Sequence, residues 1–380
     1  MIYFDNAATS FPKPPEVAAA VAAGLAAPAS PGRSGHAASL NASRTIHQAR
    51  KALSKLLGFR DNGRLVFTAN ITWALNMAMD GLRLQAGDHV LSTCLEHNSV
   101  ARPLARLAAE GGVEWETVPL DRQGLIDPAE FRRRLKPSTR LAVAIHASNV
   151  TGALVDIRRV KEAVGEIPLL IDTAQTAGAM DLGDLGQWAD LVALTGHKGL
   201  MGPTGTGGLW VRPGLELRPL AVGGTGSRSE SLEQPDFLPD ALEAGTANTH
   251  GLAGLAAGVE FVLRTGAEVI REHELALTSA FIEGLREVPH IAVLGPPERE
   301  RRVATTSLVV EGWSSSDLAA ALEREYGIMT RAGLHCAPLA HRALGSFPGG
   351  ATRFSFGFFN VMEEVETAVR ALTELARRKN

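Results

Sequence analysis

Cysteine is nearly missing: the 380-residue chain holds only Cys94 and Cys336. Two thiols cannot staple a chain of this size, which excludes a disulfide-built scaffold and leaves each cysteine to be explained as core filler or as a nucleophile. An excess of one charge is missing too. Lys and Arg number 38 against 41 Asp and Glu, a formal net charge of −3, so there is no broad basic field to hold nucleic acid or an anionic membrane surface. No apolar run is long enough to span a bilayer; the alanine-rich stretch 17–29 is short and contains Gly24 and Pro28. The opening Met1-Ile2-Tyr3-Phe4-Asp5 lacks the basic and apolar regions of a secretory signal, and the expectation is a cytoplasmic protein. The sequons at Asn41, Asn70 and Asn149 then read as chance matches.

What is present has a globular composition, 45% hydrophobic and 21% charged, in a chain longer than a single core usually grows. Short apolar runs bounded by turn residues predict strands at 65–68, 89–92, 141–145, 169–171 and 191–194. Helical patterns separate most of them, which predicts an α/β fold with a largely parallel sheet. Ligands of such sheets bind beyond the carboxyl ends of the strands. Directly after the runs come Thr72, then Glu96-His97-Asn98, then Ser148-Asn149, then Asp172 and Gln175, then Thr195, His197 and Lys198. The topology therefore gathers these side chains around one crevice.

Lys198 is the most informative of them. A lysine fixed at the end of a buried strand is desolvated, more easily deprotonated and more nucleophilic, which makes it a candidate Schiff-base former. Asp172, at the end of another run, supplies a carboxylate where a pyridinium nitrogen needs one. Singly, the bland readings are a solvated lysine and a helix-capping aspartate. Together the two point to pyridoxal phosphate.

The region 223–240 is rich in Gly, Ser and Pro and reads as a long loop. A mostly helical pattern interrupted by glycines follows over 241–263. From about residue 266 the texture changes to two amphipathic helices with short strands between them, and a last helix is expected over about 362–378. The expected organisation is a large cofactor-binding α/β domain over 15–263, with 1–14 and 264–380 forming a smaller α+β domain that carries Cys336 and Arg353.

Several segments appear in a recognisable order: Tyr3-Phe4-Asp5-Asn6-Ala7-Ala8-Thr9, Glu96-His97-Asn98, Ser148-Asn149-Val150, Asp172-Thr173-Ala174-Gln175, Gly196-His197-Lys198, Glu243-Ala244-Gly245-Thr246, Arg331-Ala332-Gly333-Leu334-His335-Cys336 and Arg353-Phe354-Ser355. In these the chain resembles, over essentially its whole length, the cysteine desulfurases among the class V, fold type I enzymes that use pyridoxal phosphate. The Cys336 segment resembles the second group of that family, whose cysteine lies on a short, constrained lobe.

The resemblance implies a role for each residue. Lys198 is the Schiff-base lysine, Asp172 faces the pyridine nitrogen, Gln175 the phenolic oxygen, and His97 stacks on the ring. Thr72, Thr195 and His197 contact the phosphate, and Thr246 does so from the neighbouring subunit of a homodimer. Thr72 opens an expected helix over 71–83 whose N-terminal amides favour an anion; its bland reading is a helix cap. Asn149 and Arg353 hold the substrate carboxylate, for which the planar arginine fork is suited, and the following Phe354-Ser355-Phe356-Gly357-Phe358 puts Arg353 on a buried strand. Cys336 is the nucleophile. Cys94, completing a strand over 90–94, reads as core filler. His335, Cys336 and His341 lack an evident fourth ligand, so no metal is expected.

The implied reaction converts L-cysteine to L-alanine, holds the sulfur as a persulfide on Cys336 and passes it to an acceptor protein or a thiol. The alternatives are a selenocysteine lyase, another class V aminotransferase-like enzyme, and, from a different class, a noncatalytic sulfur-transfer scaffold.

Overall fold

The computed structural model describes residues 1–28, 31 and 36–378. Its strands in chain order are β1 (Ile2–Tyr3), β2 (Leu65–Thr68), β3 (His89–Thr93), β4 (Glu114–Val118), β5 (Thr139–Ile145), β6 (Leu169–Asp172), β7 (Leu191–Thr195), β8 (Gly207–Val211), β9 (Ile291–Leu294), β10 (Thr305–Val310), β11 (Ile328–Met329), β12 (Arg331–Gly333) and β13 (Ala351–Ser355). Seven of them form one sheet in the order β2-β8-β7-β6-β5-β3-β4. Only β8 runs against its neighbours, so the carboxyl ends of the others share one edge.

Both faces of this sheet are covered, which is why its strands read as continuous apolar runs rather than alternating ones. Leu91, Ala144, Ile171, Val192 and Leu194 face a core shared with the helices Ala37–Leu57 and Thr249–Thr265. Val90, Val143, Leu170, Leu191 and Ala193 face the opposite one, with the helix Ile71–Gly81. A separate four-stranded antiparallel sheet, β12-β13-β10-β9, packs against the helices Ala267–Leu285, Ser315–Tyr326 and Met362–Arg377. Phe4 lies in that third core, because β1 pairs in parallel with β11.

Some expectations need correcting. The helix expected over 241–263 begins only at Thr249: Gly245 has φ of +94° and the Asn248 side chain caps the helix at Gly251 N. The helix expected over 71–83 ends at Gly81, and Arg83 takes a left-handed conformation. The run after Arg353 leaves the sheet at Ser355, and β3 stops at Thr93, just before Cys94. The segment after β12 holds a further short helix, Pro338–Ala343, beyond those expected.

Candidate active site

A cavity of about 320 Å³ opens at the carboxyl edge of the large sheet. Thr72, His97, Asn149, Asp172, Gln175, Thr195, His197, Lys198, Cys336 and Arg353 all line it. Thr246 does not; it is exposed on the loop before the helix Thr249–Thr265.

Asp172 ends β6 and is buried, with Oδ1 accepting the Ala174 N–H at 2.8 Å. Burial raises its carboxyl above the usual range, against the opposing pull of that N–H and of Lys198. Lys198 follows β7. Burial pushes its amine down to about 8, with Asp172 opposing and Arg353 and Arg331 adding to the effect. Burial beside two guanidiniums disfavours the ammonium, which therefore gives up its proton well below the ordinary lysine range.

The chain's first residues wall the cavity beside this lysine. Ser10 Oγ donates to Lys198 O (2.9 Å), Thr9 Oγ1 to His197 O (3.0 Å), and Gln175 Nε2 to Ala7 O (3.2 Å). Lys13 Nζ also donates to His197 O at 2.8 Å.

His97 has a structural duty as well as a place in the cavity. It caps the helix Asn98–Gly111, its Nδ1 accepting Ser99 N–H at 3.0 Å. That fixes the ring proton on Nε2. Burial, then Lys198, pushes its pKa down to about 4, so the ring is neutral at pH 7. Thr72 is not the cap of its helix: Asn70 is, accepting Trp73 N–H, while Thr72 Oγ1 lies 2.8 Å from Ser99 Oγ. The first amides of a helix have no intrahelical acceptor, so those of Ile71 and Thr72 suit an anion. Two further polar atoms of the lining are buried without a partner among the described residues, Thr195 Oγ1 and His197 Nδ1. Such orphans are rare unless a ligand satisfies them, and their chemistry suits a phosphate.

Arg353 lies on β13 and is buried. Its Nη1 donates to Asn149 O at 3.0 Å and its Nη2 to Asp5 Oδ1 at 2.8 Å, while Nε has no partner among the described residues. Arg331 stands opposite Arg353 in the β12–β13 register and adds a second cation to the cavity. Asn149 Oδ1 is also without a partner among the described residues, its Nδ2 donating to His335 O at 2.7 Å.

Cys336 is exposed to the cavity on a left-handed turn, with φ of +50° at His335 and +55° at Cys336. Such backbone costs roughly 1–2 kcal/mol per residue and persists only where surrounding bonds over-determine it. Asn98 N donates to Cys336 O at 2.7 Å and Ala337 N to Leu334 O at 2.8 Å. Gly350, itself at φ of +71°, packs so closely that a Cβ there would lie 2.4 Å from Gly333 C. Cys94 is buried in the main core, where burial raises its thiol to about 11. Among the described residues no group of three His, Cys, Asp or Glu could hold a metal ion.

Sequence reasoning missed Asp5, Ser99 and Asn70 as members of the site. Asp5 meets Arg353 only through the return of β13 to the chain's start, and a serine two positions beyond a histidine carries no pattern of its own. Glu96 was seen only as part of a motif. It is buried, accepting Thr93 Oγ1 at 2.7 Å, Ile145 N at 2.9 Å and Thr93 N at 3.3 Å, and thereby ties the ends of β3 and β5 beneath His97.

The profile of the class-V aminotransferase family matches residues 2–367. A probable cysteine desulfurase of Methanothermobacter thermautotrophicus is 32% identical over 387 residues, covering 99% of this chain and 94% of its own. One from Pyrococcus abyssi is 33% identical with the same coverage of each. The solved cysteine desulfurase of Thermococcus onnurineus, in its apo form, matches with a TM-score of 0.93 at 32% identity, covering 99% of this chain and 94% of that one. The Escherichia coli enzyme gives 0.88 at 28%, with the same coverage. Sequence, fold and site geometry agree: the chain belongs to the class-V aminotransferase family, among its cysteine desulfurases.

Proposed function

We propose that this protein is a cysteine desulfurase that uses pyridoxal phosphate to convert L-cysteine to L-alanine and carries the released sulfur as a persulfide on Cys336. The observation that supports this above all is the meeting of Lys198, Asp172 and Cys336 in one cavity. When bound, the cofactor supplies an electron sink that makes the substrate Cα proton acidic and its Cβ–Sγ bond labile. Lys198 would hold it covalently, Asp172 its ring nitrogen, Gln175 its phenolic oxygen and His97 its ring face. Thr72, Thr195 and His197 would hold its phosphate, joined by Thr246 of a second copy in a homodimer.

The chain's own groups account for the remaining work. Arg353, whose Nε has no partner among the described residues, would hold the substrate carboxylate, with the Asn149 amide beside it. Lys198, whose amine is lowered to about 8, would move the Cα proton. Cys336 Sγ attacks the substrate Sγ as a thiolate: an S–S bond forms, the Cβ–Sγ bond breaks, and its electron pair stays on the substrate carbon, which takes up a proton to give alanine. The short, pinned Cys336 turn fits the second group of desulfurases. A sulfur-acceptor protein or a small thiol would then take the outer sulfur. In this reading residues 15–263 form the cofactor domain, and 1–14 with 264–380 the smaller domain that brings Cys336 and Arg353.

The test is incubation of the holoenzyme with L-cysteine, followed by amino-acid analysis and intact-protein mass spectrometry. Stoichiometric alanine and a mass gain of one sulfur on the Cys336 peptide support the reading. Keto acid without alanine would point to transamination instead.

A further inference from the structure

A chain of three side chains runs away from the Cys336 turn, through the buried His335 and His341 to the half-buried Ser346. His335 Nε2 is 3.1 Å from Arg331 O, His335 Nδ1 is 3.2 Å from His341 Nε2, and His341 Nδ1 is 2.8 Å from Ser346 Oγ. Both histidines are buried. The hydrogen positions follow from one end. A backbone carbonyl only accepts, so His335 Nε2 carries a proton, and in the neutral ring Nδ1 is an acceptor. His341 Nε2–H must therefore donate to it, which leaves His341 Nδ1 to accept from the Ser346 hydroxyl. Every atom of the relay has a single role, and the direction is Ser346 to His341 to His335 to Arg331 O.

Burial keeps both rings in this uncharged form, holding His335 down at about 3, with Arg353 adding to the effect and the hydrogen bond to Arg331 O opposing it, and lowering His341 as well. The relay is also tied at its far end, since Ser346 N and Phe347 N both donate to His341 O, at 2.9 and 3.1 Å. At its near end is the residue preceding the thiol, in the left-handed conformation that the backbone does not favour on its own.

We infer that His341 and Ser346 are positioning residues for the Cys336 nucleophile, acting through the His335 ring that they orient. They do not reach the reacting atoms themselves: Ser346 is outside the cavity lining, as is His341. Their effect is to keep His335 in one rotamer and tautomer, so that the turn presents Sγ to the cavity instead of relaxing. The inference rests on Cys336 being the sulfur carrier, as proposed above.

Two variants of the holoenzyme at one position separate orientation from bulk. His341→Leu fills the space without a donor for His335 Nδ1, whereas His341→Gln supplies an amide N–H near the position of Nε2. The expected result is a fall of about tenfold or more in kcat for alanine formation in His341→Leu, with KM within about twofold, because sulfur attack and not carboxylate binding is affected. His341→Gln should recover most of the loss. A folded His341→Leu protein with wild-type kcat overturns the inference, and so does equal loss in both variants. Should His341→Leu fail to fold, Ser346→Ala decides: it removes only the hydroxyl, and an unchanged kcat overturns the inference. Alkylation of Cys336 by iodoacetamide, followed by peptide mass mapping, needs no turnover. It should slow in His341→Leu and recover in His341→Gln even if L-cysteine proves not to be the substrate, so failure of the relay and failure of the desulfurase reading give different results.

Discussion

Asp5 Oδ1 accepts a hydrogen bond from Arg353 Nη2 at 2.8 Å, across 348 positions of sequence. The pair is unequal, for the Arg353 side chain is 3% exposed and that of Asp5 19%. The arginine therefore depends on the aspartate more than the reverse. Removing one partner of a buried pair leaves an uncompensated charge, at a cost of about 3–5 kcal/mol. Asp5→Ala should lower the urea midpoint markedly, and Asp5→Asn, which keeps an acceptor for Nη2, should lower it less. Arg353→Ala should instead act on substrate, reducing kcat/KM for L-cysteine by about 2–4 kcal/mol, mostly through KM. Steady-state kinetics showing an unaltered KM would remove Arg353 from the substrate clamp.

Lys198→Ala should abolish turnover while leaving some cofactor held by its phosphate contacts. Borohydride reduction of the wild-type holoenzyme should fix the label on the peptide containing Lys198. Label on Lys13, whose half-buried amine is likewise lowered to about 8, would move the assignment to that residue.

Cys336→Ser should still bind L-cysteine but transfer no sulfur, because a neutral hydroxyl is a far poorer nucleophile than a thiolate. Its activity on L-selenocysteine should survive, the carbon–selenium bond being weaker. Cys94→Ser should leave kcat unchanged, and iodoacetamide should label Cys336 in preference to the buried Cys94. Sulfur found on Cys94 by mass spectrometry would end the persulfide proposal for Cys336.

Glu96 offers a pH test of stability. Burial, outweighing its hydrogen bonds, raises its carboxyl from the ordinary 4.5 to about 8. The folded state thus holds a proton that the unfolded state releases above pH 4.5, so the contribution of Glu96 to stability is complete below that pH and is lost as pH rises through 8. Every tenfold difference in proton affinity between the two states corresponds to about 1.4 kcal/mol. Glu96→Gln, which keeps the accepting oxygen, should gain on wild type in urea unfolding of the apo protein as pH is raised from 5 to 9. Parallel pH profiles for the two proteins would show that Glu96 is ionised in the fold.

The strands that carry the site were legible because both faces of the large sheet are buried, leaving five apolar runs that announce themselves. Two strands of the same sheet were not. β4, Glu-Trp-Glu-Thr-Val, is an edge strand and carries charges, while β8 begins Gly207-Gly208 inside a stretch that reads as a turn. The glycines there are demanded by contact, since a Cβ on Gly207 would lie 2.7 Å from Asn70 C. Within the site, residues directly after a strand were legible because the strand end places them. Asp5, Ser99 and the His335–His341–Ser346 relay were not, since each depends on a tertiary approach or a ring orientation that no spacing encodes. The helix expected from residue 241 failed for a local reason, the left-handed Gly245 and the cap at Asn248.

The pairing of β1 with β11, and of Asp5 with Arg353 beyond it, also sets a timetable. Residues 2–5 are synthesised long before their partners at positions 328–355. At about 5–20 residues per second this is a wait of roughly 20–70 s. Until then Phe4 has no core to enter, and the wall beside Lys198 lacks the pairing that holds it. The arginine that is to meet the substrate's carboxylate is completed in the same late step that secures the opening of the chain, so a nascent polypeptide stalled before β13 lacks both.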